Sequence, residues 1–588
     1  MNSSVNSSAN SYCIDGIRIL RFCGTDAERA KQQAEEILKL TAEEKQTLAI
    51  YPLARKNQAL LERAIHSTSL PLIAKKAATK AILKIYNESV IRHHRSLDEK
   101  YNDRLKVFAE HSKLNPEDLM FALYQPDFLM VLAALTHEKS KPLFLSGMPG
   151  CSSAVVRTTN QFSQEPSLTL LRNLDYPAAG HWEKWPTVCF HEPIETHLQN
   201  YISVSSLGIH LAGLTGVNES GVGFSLHAHF SKKFSLRGTP IFFLGQELLE
   251  GARSIDEAIF ICKSFRTIGS WAVNLASARE NRAVTVELSD GKTFVREMAP
   301  EDPAHSHSNG FQCTEFKKQE LHFSGSFFED VESRKASLEE NLAREEGSLP
   351  LSEALGVLAS HEDYETGIPR IFGNSVSVVT TIQSLAIDLG RNEIHLSARG
   401  ETPTPLGPFL CIPTDWKKLE LALSHPIFTH LDHPFSRNFE DALHCYYQAY
   451  CSWHVACDPA ETALEHLIRA TELLPEDPHL LMQRGYFELI LAKTTGHFRA
   501  ALECYDRALL EKTSLHHEQV ARYFRGVCLD LLDQRDLATE EYELLAESTN
   551  IDQKLKEKAA KRLKDPYKTA YCQKIVPDLQ FVEPLEYI

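Results

Sequence analysis

The sequence predicts an α+β chain in two parts: layered α and β structure first, and an all-helical region after it. Three observations carry this. Helix-period segments come before, inside and after two runs of short β-rich stretches, which suggests sheets packed between helices. A Pro-rich stretch, Thr402 to Pro413, then breaks the pattern and reads as a linker. Beyond it, small residues recur at Ala463, Ala501 and Ala538, 38 and 37 positions apart, in a background that is otherwise helical.

Along the chain, one short strand, Ile17 to Phe22, precedes a mostly helical stretch. Ala27 to Leu40, Asn57 to His66, Leu72 to His93 and Leu97 to Ser112 place apolar residues at helical spacing with charges between. Asn115, ahead of Pro116, Glu117 and Asp118, reads as the N-cap of a helix ending near His137, with acids suited to its dipole. From Leu143 the texture becomes β-rich: AVV, SLTLLRNL, YISVSSLGIHLAGLTGV, GVGFSLHAHF, WAVNLASA, RAVTVELS and KTFVREM are short and divided by Gly, Asn, Asp or Pro. Helix returns over Leu244 to Cys262 and over Ser333 to Arg344. SVSVVTTIQ and EIHLSA close the β-rich region near Gly400.

In the last part, Ala463, Leu467, Ala470 and Pro475 are followed by Gly485, Ala501, Tyr505 and Ala508, then by Gly526, Ala538, Tyr542 and Leu545. This resembles the tetratricopeptide (TPR) repeat. Its small residues let two helices of a hairpin approach, and its large ones fill the groove of the next pair. The extra residues fit the Lys493 to His497 turn, and Cys451 stands where the first repeat would carry Gly. Such arrays offer a surface to a protein or peptide partner, so the chemistry is expected upstream. The expected divisions are 1–150, a strand plus helical segment; 151–415, β-rich and catalytic; and 430–588, TPR-like.

Composition narrows the function. The chain has 588 residues, 43% of them hydrophobic and 24% charged, which is ordinary for a folded protein. Its net charge of −16 and the absence of a basic stripe argue against a nucleic-acid partner. The 13 cysteines form no tight CxxC pair, so neither a disulfide framework nor a zinc ribbon is indicated. The start, MNSSVNSSANSYCIDG, lacks a basic end followed by an apolar stretch. The apolar run Leu119 to Leu135 is interrupted by Gln125, Pro126 and Asp127, so no membrane span is expected. A cytoplasmic, reducing setting follows as the expectation, with no glycosylation at Asn2, Asn6, Asn87 or Asn218.

Most cysteines sit in helical or strand patterns and read as small core residues. Cys151 differs, because it heads an alternating run in SGMPGCSSAVVR, directly after Pro149 and Gly150. Downstream, LLRNLDYP sets Arg172 and Asp175 three apart across a turn, where a guanidinium and a carboxylate can be fixed near one point. GLTGVNESGVGFS surrounds Asn218, HSHSNGF surrounds Asn309 and ESRKASL surrounds Arg334. This ordered set resembles the N-terminal nucleophile (Ntn) hydrolases, in the branch of acyl-CoA:6-aminopenicillanate acyltransferase, with choloylglycine hydrolases, penicillin V acylase and acid ceramidases as cousins. The similarity runs from about Ile17 to Gly400.

The resemblance implies a four-layer αββα sandwich and a precursor that cuts itself between Gly150 and Cys151. It implies a hydrolase of linear amides, acting on carbon–nitrogen bonds other than peptide bonds, or an acyltransferase, working through an acyl-thioester on Cys151 without a cofactor. Asp175 would orient the new α-ammonium, Arg172 would lower the thiol pKa, the Asn309 amide would help hold an oxyanion, and Arg334 would brace the network. The substrate would be a small amide or acyl compound.

The sequence departs from the cousins at two places. The gap from Cys151 to Arg172 is long, implying a longer first hairpin. Where the cousins carry Asn or Tyr beyond the Gly-Val-Asn-Glu turn, this chain reads SLHAHF; alternation puts His227 and His229 on one face of a strand, as pocket residues or as satisfied core histidines. Asn218 reads as a turn former, and Ser152 and Ser153 as hydrogen-bonding neighbours of Cys151. His305 and His307 lack a carboxylate or cysteine at a known ligand spacing, so no metal is expected. No phosphate-binding loop, dinucleotide fingerprint or GxSxG elbow is found. Two rival readings stand: a TPR-based interaction scaffold whose Ntn-like domain is catalytically silent, and a papain-type protease with Cys151 activated by His227 or His229.

Overall fold

The computed structural model describes residues 6–8, 10–66, 71–137, 150–160, 163–299, 302–321, 323–343 and 348–584. It is a mixed α/β structure with two sheets and many helices. A ten-stranded sheet runs in the spatial order Asn6–Ser8, Ser11–Ile14, Ile17–Gly24, Pro186–Pro193, Tyr201–Ser206, Thr215–Asn218, Val222–His229, Ser270–Ser277, Arg282–Ser289 and Lys292–Glu297. Its neighbours are antiparallel except Ile17–Gly24 and Pro186–Pro193, which pair in parallel. An eight-stranded sheet runs Ala304–His307, Gly150–Asn160, Ser163–Asp175, Thr381–Asp388, Glu393–Ser397, Phe409–Pro413 and Phe428–Thr429, with Leu349–Pro350 added against Gly150–Asn160.

Side-chain alternation along strand Gly150–Asn160 explains how it is covered. Val155 joins Leu168, Leu170, Ile19, Val188 and Val204 in a cluster fed by both sheets. Ala154 and Val156 point the other way, to Leu338 and Leu342 of helix Gly325–Leu342 and Leu351 and Leu355 of helix Leu351–Leu358. The ten-stranded sheet is packed by helices Asp26–Leu38, Ile241–Gly251 and Ile255–Ser264. The first of these starts with a capping box, in which Thr25 and Glu28 satisfy each other's backbone N–H groups.

Helix Pro116–His137 forms as expected and continues through Gln125, Pro126 and Asp127, the residues that break the apolar run of the sequence. Its stretch Pro116–Leu135 is long and apolar enough to cross a membrane by length and composition, and most of it is buried inside the protein. Asp127 is wholly buried and is needed where it stands. Its carboxylate accepts from Trp271 Nε1 at 2.9 Å and from the Ile241 N–H at 3.0 Å, the latter at the start of a helix with no side-chain cap of its own. Burial pushes its pKa up to about 6 against these bonds.

Four expectations need correction. The N-terminal segment supplies three strands, because the polar stretch around Tyr12 pairs with Ile17–Gly24 at the sheet edge. Thr402 to Pro413 is no linker: Thr402 and Thr404 are buried, and Phe409–Pro413 is a strand, so the β region extends to Thr429. The strand read from SVSVVTTIQ begins only at Thr381. The helix expected from Ser333 begins at Gly325, while its expected end at Arg344, the onset of β structure at Leu143, and Pro149 lie outside the described residues.

The last region is helical: Arg437–Tyr450 against Ala460–Leu473, Pro478–Ile490 against Thr495–Ala508, and Leu515–Leu531 against Arg535–Glu547, followed by Gln553–Lys564. A Cβ on Gly485 would stand 2.6 Å from the Tyr505 ring, and one on Gly526 2.8 Å from Tyr542, so these glycines let paired helices close. Replacing Asp127 by Ala strands the Trp271 and Ile241 donors in a dry interior. It is expected to cost about 2–4 kcal/mol, read from the urea midpoint.

Candidate active site

The hairpin of Gly150–Asn160 and Ser163–Asp175 is long, as its spacing required. Its register opposes Gly150 to Asp175, Cys151 to Leu174 and Ser153 to Arg172. Opposed residues share a face, so Cys151, Ser153 and Arg172 look toward the ten-stranded sheet. Gly150, Ser152 and Asp175 look toward helix Gly325–Leu342. Arg172 and Asp175 are therefore not gathered at one point across a turn, as the sequence suggested. They flank the Cys151 backbone from opposite faces of one strand.

On the first face, Arg172 Nη2 donates to Cys151 Sγ at 3.2 Å. Both groups are buried, and Nε and Nη1 of Arg172 have no partner among the described residues. Burial pushes the Cys151 thiol above its usual pKa; Arg172 and Arg334 pull it back, and Asp175 pushes it up. Arg172 thus acts on the thiol in the expected direction, and desolvation by burial outweighs it.

On the other face, Arg334 gathers the backbone around Cys151. Its Nη1 donates to the Cys151 carbonyl at 2.9 Å and to Ser152 Oγ at 3.0 Å, its Nη2 to Asn309 Oδ1 at 3.1 Å, and its Nε to Asp330 Oδ2 at 2.9 Å. Asp175 Oδ2 lies 4.0 Å from the same guanidinium. Asp175 Oδ1 accepts from Thr381 Oγ1 at 2.6 Å. Burial pushes the Asp175 pKa up to about 6, opposed chiefly by Arg334 and the Thr381 bond. Gly150 fits closely here: a Cβ on it would stand 3.2 Å from both Cβ and Oδ2 of Asp175, so Asp175 would have to give way by a few tenths of an ångström.

Asn309 extends the register by which His307 opposes Ser153, and so arrives opposite Cys151. Its Oδ1 accepts from the Cys151 N–H at 2.9 Å and its Nδ2 donates to the Ala228 carbonyl at 2.9 Å. With the Arg334 bond, these contacts fix which end of the amide is oxygen. In this state Asn309 holds the Cys151 nitrogen, not an oxyanion.

The histidines sit beside this centre without touching the thiol. His227 Nε2 is 2.8 Å from Ser153 Oγ, which also receives Asn274 Nδ2; Asn274 Oδ1 takes the Thr285 hydroxyl, and Thr285 Oγ1 meets His305 Nε2 at 2.8 Å. His229 Nε2 meets His307 Nε2 at 2.9 Å. These two rings are within 12° of parallel with centroids 5.1 Å apart, the separation of rings laid end to end across an N–H···N bond. Burial holds His227, His229 and His307 well below their usual pKa, hence neutral. Glu287 brings a third ligand atom within 4.8 Å of the His229 and His307 nitrogens, but its oxygens accept the Gln312 and Cys313 N–H groups. Glu393, His395 and Cys411 form a second such group on neighbouring strands, with the Cys411 thiol pushed up to about 12 by burial. Asn218 shapes a turn as expected: its Oδ1 accepts the Val222 N–H and its Nδ2 ties down the end of helix Ile241–Gly251.

The sequence reading missed two members. Asp330 was visible in principle, four positions before Arg334 on one helix face. Thr381 had no local signal.

Residues 163–399 match the family model described as acyl-coenzyme A:6-aminopenicillanic acid acyl-transferase. The match covers less than half of the chain; it takes in Arg172, Asp175, Asn309 and Arg334 and begins after Cys151. It supports an acyltransferase or hydrolase activity of the Ntn type. No curated protein matches the chain.

Removing the cation at the thiol is a direct check on this electrostatic arrangement. Arg172→Gln is expected to slow thiolate alkylation of Cys151 about tenfold or more at fixed pH, measured by mass spectrometry of the modified peptide.

Proposed function

We propose that this protein is a self-processing cysteine Ntn enzyme that opens linear amides, or transfers their acyl group, through a thioester on Cys151. The observation that carries the reading is the convergence of Arg172 on Sγ and Asn309 on the nitrogen of one residue, beside a glycine pressed against a carboxylate. In the uncut chain that nitrogen is a peptide amide and the thiol is 2% exposed, so the carbonyl within its reach is its own neighbour's.

In the first reaction Cys151 Sγ, as thiolate beside Arg172, adds to the Gly150 carbonyl carbon. The C–N bond to Cys151 breaks, the nitrogen takes a proton, and a Gly150–Cys151 thioester remains. Water then adds to the thioester carbonyl, releasing the Gly150 carboxylate, the thiol and a free α-amine. An α-amine titrates near 7.7–8.0 and a thiol near 8.5, so the two hold a proton about equally well and the new amine can exchange one with the thiol near neutral pH. Asn309 Oδ1 already accepts from this nitrogen, and Asp175 lies where an ammonium would find its counter-charge. One residue thus supplies nucleophile and base.

With an external substrate the amide carbonyl is attacked by Sγ, the amine leaves with the proton held on the α-amine, and the acyl-thioester is resolved by water or by a second amine. Small amide or acyl compounds are therefore the substrate class. The rival assignment of His227 or His229 as base is disfavoured, because the hydrogen bond at the Cys151 thiol comes from Arg172 and burial holds both rings well below their usual pKa.

The packing of helices on both sheets supports an αββα sandwich, and the Gly485–Tyr505 and Gly526–Tyr542 contacts support a TPR-like array over 430–588 with a peptide-binding role. Thirteen free thiols support a reducing, cytoplasmic setting.

Intact-mass analysis of the purified chain is expected to give two fragments divided between Gly150 and Cys151, and the Cys151→Ala variant a single 66.3 kDa chain. A wild-type chain that stays whole and shows no thiol-dependent amide turnover would leave the scaffold reading. Because Asp175 must be ionised to hold the ammonium, kcat/KM is expected to fall on the acid side as Asp175 takes up a proton; burial raises its pKa to about 6 in the whole chain and the new ammonium draws it back down, so the midpoint is expected below pH 6. Asp175→Asn should lower activity by about a hundredfold or more and remove that limb from the residual rate.

A further inference from the structure

The stretch Ile575–Pro584 has no helix and only a single β-bridge, at Val576, yet it is held like a bound peptide. Its backbone carbonyls are taken in turn by side chains: Pro577 by Trp453 Nε1 at 3.2 Å, Asp578 and Phe581 by Gln483 Nε2 at 2.8 and 2.6 Å, and Leu579 by Tyr446 Oη at 2.7 Å. The Leu579 N–H donates to His454 Nε2 at 3.0 Å. Leu579, Phe581 and Val582 are buried.

The donors have a common origin. Tyr446, Gln483 and His516 lie on helices Arg437–Tyr450, Pro478–Ile490 and Leu515–Leu531, the first helix of each successive pair; Trp453 and His454 lie on the turn that continues the earliest of them. A row of first helices is one continuous surface of a stacked array, and an extended chain crossing it meets each pair once. Side chains that grip main-chain atoms, with pockets for apolar side chains, are how folded domains hold extended peptides.

At the far end the segment meets the catalytic part of the chain. Glu583 Oε2 is 2.9 Å from His516 Nε2 and accepts the Ser326 N–H at 3.4 Å, while the Glu583 N–H donates to Ser326 Oγ, itself 2.7 Å from His517 Nε2. Ser326 opens helix Gly325–Leu342, which carries Asp330 and Arg334.

We propose that the surface formed by these first helices is a binding site for extended peptides bearing spaced apolar residues and a glutamate, and that Ile575–Pro584 is its resident ligand, bound in cis. An external peptide of the same chemistry enters only by displacing it. Tethering gives the resident segment an effective concentration of about the millimolar range, so free peptide is expected to compete poorly in the whole chain. The proposal is independent of the chemistry at Cys151.

The test uses a chain lacking residues 575–588 and a fluorescent peptide of that sequence, read by anisotropy. The shortened chain is expected to bind the peptide, the whole chain to bind it at least about tenfold more weakly. Gln483→Ala in the shortened chain should weaken binding by about tenfold or more, through loss of two carbonyl bonds. A folded shortened chain that ignores the peptide, or equal binding by both chains, overturns the proposal. If the shortened chain does not fold, hydrogen exchange on the whole chain decides. Leu579 and Glu583 amides opening faster than the surrounding helices, and faster still in Gln483→Ala, support a detachable ligand, whereas exchange only through global unfolding makes the segment an integral part of the core and overturns it.

Discussion

The guanidinium of Arg334 is the constraint on which the centre depends. It is buried, reaches the site from a helix remote in sequence, and spends its donors on the Cys151 carbonyl, Ser152, Asn309 and Asp330. A buried cation survives only if its charge and hydrogen bonds are met, and here meeting them organises the backbone of Cys151. Three facts follow from one placement. The Cys151 carbonyl is pinned, the Asn309 amide is oriented with its oxygen toward the Cys151 nitrogen, and Asp175 has a cation within Coulomb range.

The second guanidinium has the opposite character. Arg172 shares the thiol's face and leaves two of its nitrogens unpartnered among the described residues. Asp330 and Asp175 both lie beside Arg334, and Asp175 also acts on Arg172, so two buried carboxylates stand against two buried guanidiniums as a group. That balance explains why the thiol is not simply acidic: desolvation raises it, and the nearer arginine only partly offsets the effect. A change that admits water to the site weakens desolvation first.

Much of this was legible in the sequence, and the reasons are local. Cys151 and Asn309 stand beside Gly150 and Gly310, and Arg172 and Asp175 stand in LLRNLDYP; it is the ordered succession of these short motifs, more than any one of them, that makes the set legible. The strand faces were legible in principle from alternation, although Arg172 and Asp175 read more naturally as a turn pair than as opposite sides of one strand end. The bond from Thr381 to Asp175 spans 206 positions and leaves no such trace. The Pro-rich stretch misled for a physical reason: proline suits an edge strand as well as a linker, and only burial of Thr402 and Thr404 separates the two.

The parallel pairing of Ile17–Gly24 with Pro186–Pro193 has a consequence for what a cut beside Cys151 would leave behind. The strands before Gly150 are stitched by backbone hydrogen bonds to one sheet whose remaining strands lie after it, and helix Asp26–Leu38 is docked on the same sheet. The two pieces would remain one particle, a heterodimer with no route apart short of dissolving a sheet. Its reassembly after denaturation would then be second order in protein, so a molecule made as one chain would become one whose recovery depends on dilution.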